Sequence, residues 1–541
     1  MADNINSNWG VKITEEIANE AKGLDLDAYL IALEGWRRGL DLRWHAMDHE
    51  IFKDMKTWFT DKPGKLFSLS SDRKTHYFFR TRGHIISNEA VGIASDKALS
   101  KQYLIQKGVN CIQGYHFDAT SSIEEITEHA AKLGYPVVLK PADGSFGRDV
   151  YLNLNDQESL IQAFNQIKEI KPKSSLLLER HQQGQDYRVY VIADSVVAAI
   201  KRIPANVIGD GKHTIKELIE RKNEERKKNP RLASCLIEIN HSLKRFISDQ
   251  GFQLTDIPVT DQQIFLNDKA NISLGGDSID VLDQLDEDAK KTAIAAIEAI
   301  PGLYHGSVDL LKTEDQAAVV IEINPTSQLG SLIFPMQGQG RDVPSALIDY
   351  YFPESIENKD NRSSMYFDFY DVLDPLNNGV VKAIKVSTPL LGRVFGKRYV
   401  VSGDVNQIGF HRGLRKFAFE NKISGYINRL ETDRIEIILV ASTQDKVDSF
   451  KEAIYADSER SSVSSVVEEP WSGSVKVGFE IKVDVKMQLE RISEVKDEIK
   501  QVELEIKQMQ KAINSFYHSL SWKLTAPLRI PGLIAKKIQG K

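Results

Sequence analysis

Val137-Val138-Leu139-Lys140-Pro141-Ala142-Asp143-Gly144-Ser145-Phe146-Gly147-Arg148-Asp149-Val150 is the stretch on which the fold is decided. An apolar β-type run ends on a lysine, a loop with two glycines and a small hydroxyl follows, and apolar residues return. A strand, a turn and a second strand would set Lys140 beside a backbone able to close over a phosphate chain. Glycine lets main-chain N–H groups approach anionic oxygens with no side chain in the way. A glycine turn between strands is more often a plain hairpin, so the weight falls on what lies up- and downstream.

The chain has 541 residues, too many for one compact core, and roughly three or four domains are expected. Hydrophobic content of 41% and charged content of 27% are ordinary for a soluble globular protein. A formal net charge of −6 argues against a global attraction to nucleic acid while leaving room for local basic patches, and no nucleic acid is expected as a partner. Cys111 and Cys235 are the only cysteines, so no disulfide framework is implied. The N-terminus MADNINSNWG has neither a basic nor an apolar segment of a secretion signal. No apolar run of about 18 residues occurs. A cytoplasmic, multidomain protein is the expectation.

Residues 1–95 read as an N-terminal α/β lobe. Ile13 to Leu40 looks helical, with Tyr29, Leu30, Leu33 and Trp36 on one face, and 66–70 and 75–80 read as strands. Ser95-Asp96-Lys97 can cap a helix that Gly108 stops, and a second helix, Ile123 to Leu133, ends at Gly134. Leu160 to Ile170 is helical, 175–179 and 184–192 are strands, and Val196 to Arg202 is a strand ending in Lys201-Arg202. This order suggests a small antiparallel sheet with helices on one side. Ile215 to Lys228 mixes acidic and basic residues as a solvated helix does. Ala289 to Ile300 is a helix.

His305 to Leu311 and Ala317 to Asn324 are two apolar strands bearing Asp309, Glu322 and Asn324. Residues two apart on a strand point the same way, so Glu322 and Asn324 project together with Ile323 on the core side. Three hard oxygen donors on one face suit Mg²⁺, which takes one or two carboxylates plus substrate phosphates. A plain polar pair at a strand edge would look the same.

Lys97, the Lys140 loop, Glu179, Lys201-Arg202, Asp309 and Glu322-Ile323-Asn324, in this order, resemble the ATP-grasp ligases. The stretches 202–214, Ser273-Leu274-Gly275-Gly276 and Gly340-Arg341-Asp342-Val343 resemble the ATP-grasp module of cyanophycin synthetase. The resemblance implies an ATP-grasp domain over 96–355 that binds ATP and metal. It also implies an ADP-forming carboxylate–amine ligase, acting through an acyl phosphate to form an amide or peptide bond. By that resemblance Lys97 and Lys140 contact ATP phosphates under a loop of Gly144, Ser145 and Gly147. Glu179 accepts from the adenine amino group, the backbone of Arg180 to Gln182 lines the base, and Asp186 reaches the ribose. Asp309, Glu322 and Asn324 hold one or two Mg²⁺, with Mn²⁺ an alternative. Lys201 or Arg202 stabilises the transferring phosphoryl group, and Arg341 clamps a substrate carboxylate through its planar fork. Many dipeptide ligases carry an arginine two residues before the first metal aspartate; here that residue is Ser307, which leaves the oxyanion stabiliser unassigned. Its substrates would be an amino acid or other amine and a carboxylate acceptor, as in adding an amino acid to a peptide or a uronate-bearing glycan. The rivals are a bifunctional ligase and acylphosphatase, and a non-catalytic nucleotide-binding scaffold.

Residues 356–379 read as a linker and 380–484 resemble an acylphosphatase domain, a ferredoxin-like α+β sandwich. That family's phosphate cradle ends in an arginine and its catalytic asparagine lies on the next strand. Here His411 and Arg429 stand at those places, and Gln407 replaces a cradle glycine. A degenerate module is expected. From 485 to 520, Val485, Ile492, Ile499, Ile506, Ile513 and Leu520 recur every seven residues, the pattern of a coiled coil holding a homo-oligomer. The basic, amphipathic tail 521–541 suggests a peripheral contact with membrane or polysaccharide-assembly machinery.

Overall fold

The computed structural model describes residues 13 and 15–482, apart from 59–61, 143–148, 314–316, 361–362, 393, 432, 457–458 and 460, and then residues 499, 501–503 and 505–511. The chain divides into two compact units. The larger comprises 1–395 and 472–477, the smaller 396–471 and 478–541.

The core of the larger unit is an antiparallel five-stranded sheet. Its strands are β1 (Gln185–Ile192), β2 (Ser195–Ile203), β3 (Asp277–Asp280), β4 (His305–Lys312) and β5 (Ala318–Asn324), in the spatial order β3-β2-β1-β4-β5. One face is apolar along its length. Val189, Val191, Ala199, Val308, Leu310 and Ile323 pack there against Ala289, Ala293, Ala296 and Ile297 of the helix Glu287–Glu298. The opposite face is apolar only towards one end, where Tyr190, Ile192, Ala198 and Ile200 join the N-terminal core. The rest of that face carries charge. A lobe of residues 204–276 is inserted between the adjacent strands β2 and β3.

A second, four-stranded antiparallel sheet contains the strand Val137–Pro141, flanked by Leu176–Arg180 and Tyr151–Leu154, with Gly114–Phe117 at the far edge. The helices Ile123–Leu133 and Gln157–Ile170 cover it through Ile126, Ala130, Leu160, Ala163 and Ile167. The small antiparallel sheet read from the sequence is thus two sheets. Between them lies the helix Lys97–Gln106, capped by the Asp96 side chain, which accepts from the Ala98 and Leu99 amides at 2.9 and 3.0 Å. Gly108, at φ +70°, follows its end.

The N-terminal lobe departs from its reading in two ways. The helical stretch breaks into Glu15–Asn19 and Asp25–Arg37 around Gly23, which has φ +62°. Every residue from Leu26 to Arg37 is buried, so no single face packs. The stretch expected as a linker, 356–379, belongs to the larger unit. Its polar beginning hides Met365, Tyr366, Phe367 and Phe369, all buried in the N-terminal core, and 369–377 is a helix. Farther on, Ala383–Lys385 pairs with Asp41–His45 as the edge of a five-stranded sheet.

The smaller unit has the order β-α-β-β-α-β expected of a ferredoxin-like sandwich, from the strand Phe395–Asp404 to the strand Ser462–Pro470. A further short strand, Phe479–Ile481, adds in parallel to Ser424–Glu431. The smaller unit begins at 396 rather than 380. Of the heptad segment, the described residues 499, 501–503 and 505–511 are helical, and the remainder lies outside the described residues with the tail. Among the described residues no helix is long and apolar enough to cross a membrane.

Candidate active site

Four strands feed the charged face. The period of two on β1 turns Asp186 and Arg188 to it and buries Val189 and Val191 behind. Antiparallel register then sets partners side by side. Arg202 of β2 lies opposite Asp186, Asp309 of β4 opposite Arg188, and Glu322 of β5 opposite Asp309. Asn324 follows two residues on, its amide donating to Glu322 Oε1 at 3.3 Å.

Asp309 is the centre. Arg188 donates to both its oxygens, Nε to Oδ1 at 2.8 Å and Nη2 to Oδ2 at 2.9 Å, and Arg202 Nη2 lies 3.0 Å from Oδ2. Burial alone would raise its pKa; Arg188 and then Arg202 outweigh that and hold the carboxyl well below its usual range. Asp186 accepts from Arg202 Nε at 2.7 Å. Its burial, with Asp309 close by, wins over the two arginines and pushes it up to about 6. Lys97 Nζ stands 4.0 Å from Glu322 Oε2. Three cations therefore meet three carboxylates, and the patch largely neutralises itself.

Lys140 projects from the second sheet, with Nζ 2.5 Å from Glu179 Oε2, and Lys101 bonds the other oxygen of the same carboxylate. Burial works against the ionised Glu179, yet Lys140 and Lys101 bring its pKa below the usual value. Burial lowers Lys101 itself. Lys97 and Lys101 are one helical turn apart, so a single helix sends one lysine to each sheet.

The structure brings together Lys97, Arg202, Asp186, Asp309, Glu322 and Asn324, and it sets Lys140 beside Glu179. Other expectations meet different surroundings. Lys201 is paired with Tyr187 and Ile279 on the opposite side of the sheet from Arg202, as alternation requires. Arg341 has its fork filled by the chain's own carboxylates: Nε and Nη2 donate to Asp280 at 2.8 and 2.6 Å, and Nη2 reaches Asp283 at 2.7 Å. It has no bidentate face left for a substrate. Glu179 is engaged by two lysines, not held open for a base. The Arg180 amide donates to the Gln113 carbonyl, the His181 amide to that of Pro136, and Gln182 is exposed. Asp186 is tied to Arg202. Gly144, Ser145 and Gly147 lie outside the described residues. Two residues were missed, Arg188 and Lys101. The alternation Asp186, Arg188 on one strand and the spacing Lys97, Lys101 on one helix were the available signals.

The donor chemistry fits a hard cation. Asp309, Glu322 and Asn324 offer oxygen on one face, and a carboxylate has about four lone-pair directions, so the arginines do not exhaust Asp309. A self-neutralised patch also gives a polyphosphate little reason to enter without a divalent ion.

In the smaller unit, the His411 side chain is buried and its Nε2 donates to the Val405 carbonyl at 2.7 Å. Burial lowers its pKa. Arg429 Nε donates to the Glu431 carbonyl at 3.3 Å.

These features define a class. Residues 94–214 match the RimK-like ATP-grasp domain and residues 397–481 match the acylphosphatase family, so the chain joins an ATP-grasp module to an acylphosphatase-like one. The particular likenesses are to cyanophycin synthetase of Synechocystis sp., 29% identical over 50% of this chain and 31% of the relative. The glutathione biosynthesis bifunctional protein GshAB of Enterococcus faecalis is 30% identical over 49% of this chain and 36% of its own length. A bifunctional glutathione synthetase from Pasteurella multocida, solved as a crystal structure, superposes with a TM-score of 0.43 at 26% identity, covering 54% of this chain and 41% of that one. The chain spans about a third of the length of the curated relatives it matches.

Proposed function

We propose that the larger unit is an ADP-forming carboxylate–amine ligase. The observation that carries this is the convergence of Asp309, Glu322 and Asn324 with Lys97, Arg188 and Arg202 on one sheet face. In the first step a substrate carboxylate oxygen attacks the γ-phosphorus of ATP, the bond to the β–γ bridging oxygen breaks, and ADP leaves with an acyl phosphate formed. In the second an uncharged amine attacks the acyl carbon, the bond to the phosphate oxygen breaks, and phosphate departs as the nitrogen yields a proton to solvent.

Phosphoryl transfer asks the protein for positioning and charge neutralisation more than for covalent chemistry. Lys97 and Lys140 take phosphate oxygens; Lys140 uses one of three donors on Glu179 and keeps the others. Glu179 holds Lys101 and Lys140 in register. Arg202 and Arg188 face the transferring group, and Arg188 fills the oxyanion-stabilising role that Ser307 left open. Asp309, Glu322 and Asn324 are the residues that would hold Mg²⁺, whose chemistry is to neutralise charge on the phosphates.

The fused module is a degenerate acylphosphatase that has become a binding unit: its arginine position is a histidine locked to the backbone. An active one would destroy the ligase's own intermediate. The heptad segment holds copies of the chain together; among the described residues Ile499, Val502, Ile506 and Met509 are exposed in a seam of spacing three and four. Substrates of the kind expected are an amino acid and a peptide or uronate-bearing glycan. Purified protein with ATP, Mg²⁺ and acid/amine pairs releases ADP and phosphate, and Lys140→Ala abolishes both. Release untouched by that change would sink the site.

A further inference from the structure

With Arg341 tied to Asp280 and Asp283, the site needs another cation if a substrate carboxylate is to be recognised. Arg231 has the required character. It comes from the inserted lobe, and its side chain lies along Gly330: a Cβ placed on that glycine would meet Arg231 Cδ at 2.6 Å. Its guanidinium is held by neutral acceptors only. Nη2 donates to Gln328 Oε1 at 2.9 Å, and Nη1 to Ser234 Oγ at 3.2 Å and Cys235 Sγ at 2.7 Å. Among the described residues it makes no ion pair, whereas Arg188, Arg202, Arg226 and Arg341 each have one. Gln328 stands four residues beyond Asn324, in the turn that leaves β5. In the same turn the Thr326 hydroxyl is buried without a hydrogen-bond partner among the described residues. A turn with a buried, unpaired donor, and against it a half-buried, un-neutralised fork, is what an anionic, hydrogen-bonding ligand would complete.

We propose that Arg231, positioned by Gln328 and aided by Thr326, binds a carboxylate of the substrate that does not react. The reacting carboxylate must lie at the γ-phosphate, near Lys97 and Arg202. Arg231 is anchored past the end of β5, so the group it takes keeps its charge throughout. That carboxylate is assigned to the amine substrate, which is then an α-amino acid, or a peptide with a free carboxylate, and not a simple amine. This rests on the ligase reading.

The test compares amino acids with their carboxamides as amine substrates, each of the common L-amino acids being paired with a dipeptide or with glucuronate, and ADP formation being followed. The wild-type chain prefers the free acid in kcat/KM. Arg231→Met lowers that preference roughly ten- to a hundredfold through KM for the amino acid, with KM for ATP unchanged, and Arg231→Lys recovers part of it. Gln328→Glu gives the guanidinium a carboxylate of its own, as Asp280 does for Arg341, and reproduces the loss in a folded protein. If either variant leaves the preference intact, or moves KM for ATP as much, Arg231 is not the clamp. Lys140→Ala abolishing ADP formation beside an unaltered preference in Arg231→Met overturns this inference alone. A wild-type chain that forms no ADP with any pair overturns the ligase reading as well.

Discussion

In the larger unit the family's polar positions are met by side chains that engage one another across four strands: Asp309 with Arg188 and Arg202, Asp186 with Arg202, and Glu322 with Lys97. In the smaller unit the matching positions are filled by side chains whose hydrogen bonds, among the described residues, go to main chain, His411 to Val405 and Arg429 to Glu431. Both regions carry a family likeness of comparable clarity. The first keeps charges desolvated and poised against one another, which a catalytic site needs and a fold does not. The second keeps the scaffold and spends its polar groups locally. A match to a family thus certifies the backbone, and only the partners of each side chain tell whether its chemistry survived.

The contrast breaks first at Asp309. Removing it as Asp309→Ala leaves Arg188 and Arg202, whose side chains are only 17% and 9% exposed, without their shared counter-charge, which costs about 3–5 kcal/mol and shows in urea unfolding. Ligase turnover falls by at least roughly a hundredfold. An Asp309→Ala chain of wild-type stability would mean that the charged face is only a solvated edge.

How far the sequence could be read follows the range of each interaction. Glu322, Ile323 and Asn324 were legible because alternation along one strand settles which side each faces, and Ile323 is indeed in the core. The cap at Asp96 was local for the same reason. Arg188 was not legible, since its meaning lies in register with Asp309, 121 residues away. The engagement of Arg341 with Asp280 was not legible either, since that partner is 61 residues upstream, on a strand whose place is known only once the inserted lobe is folded out of the way. The false linker arose from the polar run at 358–364, which outweighed the aromatic residues just behind it.

A smaller effect comes from His305, a fully buried imidazole between the hydroxyls of Tyr190 and Tyr351, at 3.2 and 2.8 Å. Burial lowers its pKa to about 3, against an ordinary 6.5. The unfolded chain therefore binds a proton between these values that the native state refuses. Stability contributed by the neutral ring is complete above pH 6.5 and declines as pH falls, by about 1.4 kcal/mol per pH unit. His305→Gln can keep a donor and an acceptor but cannot titrate, so its unfolding free energy loses about one proton of slope between pH 4 and 6. An unchanged slope would place the missing proton elsewhere. Arg341→Ala exposes the difference between a structural and a substrate arginine: stability drops by about 1–3 kcal/mol as the buried Asp280 loses its partner, while KM for the carboxylate substrate stays put.

The smallest effect belongs to the smaller unit. The His411 hydrogen bond satisfies the Val405 carbonyl just before the helix Ile408–Glu420, so His411→Ala should cost about 1 kcal/mol in the unfolding of the full chain. Benzoyl phosphate should be hydrolysed no faster than in buffer by the wild-type chain and by this variant alike, because a backbone-held histidine stands where the family's arginine would clamp phosphate and Arg429 stands where its asparagine would orient a water. Restoring the family's residues one at a time should not restore hydrolysis: His411→Arg must open the buried site in which the imidazole sits, and Arg429→Asn without it leaves the phosphate unclamped. Hydrolysis by the wild-type chain that disappears in His411→Ala would reverse the comparison, since a histidine held on the backbone would then be doing an arginine's work.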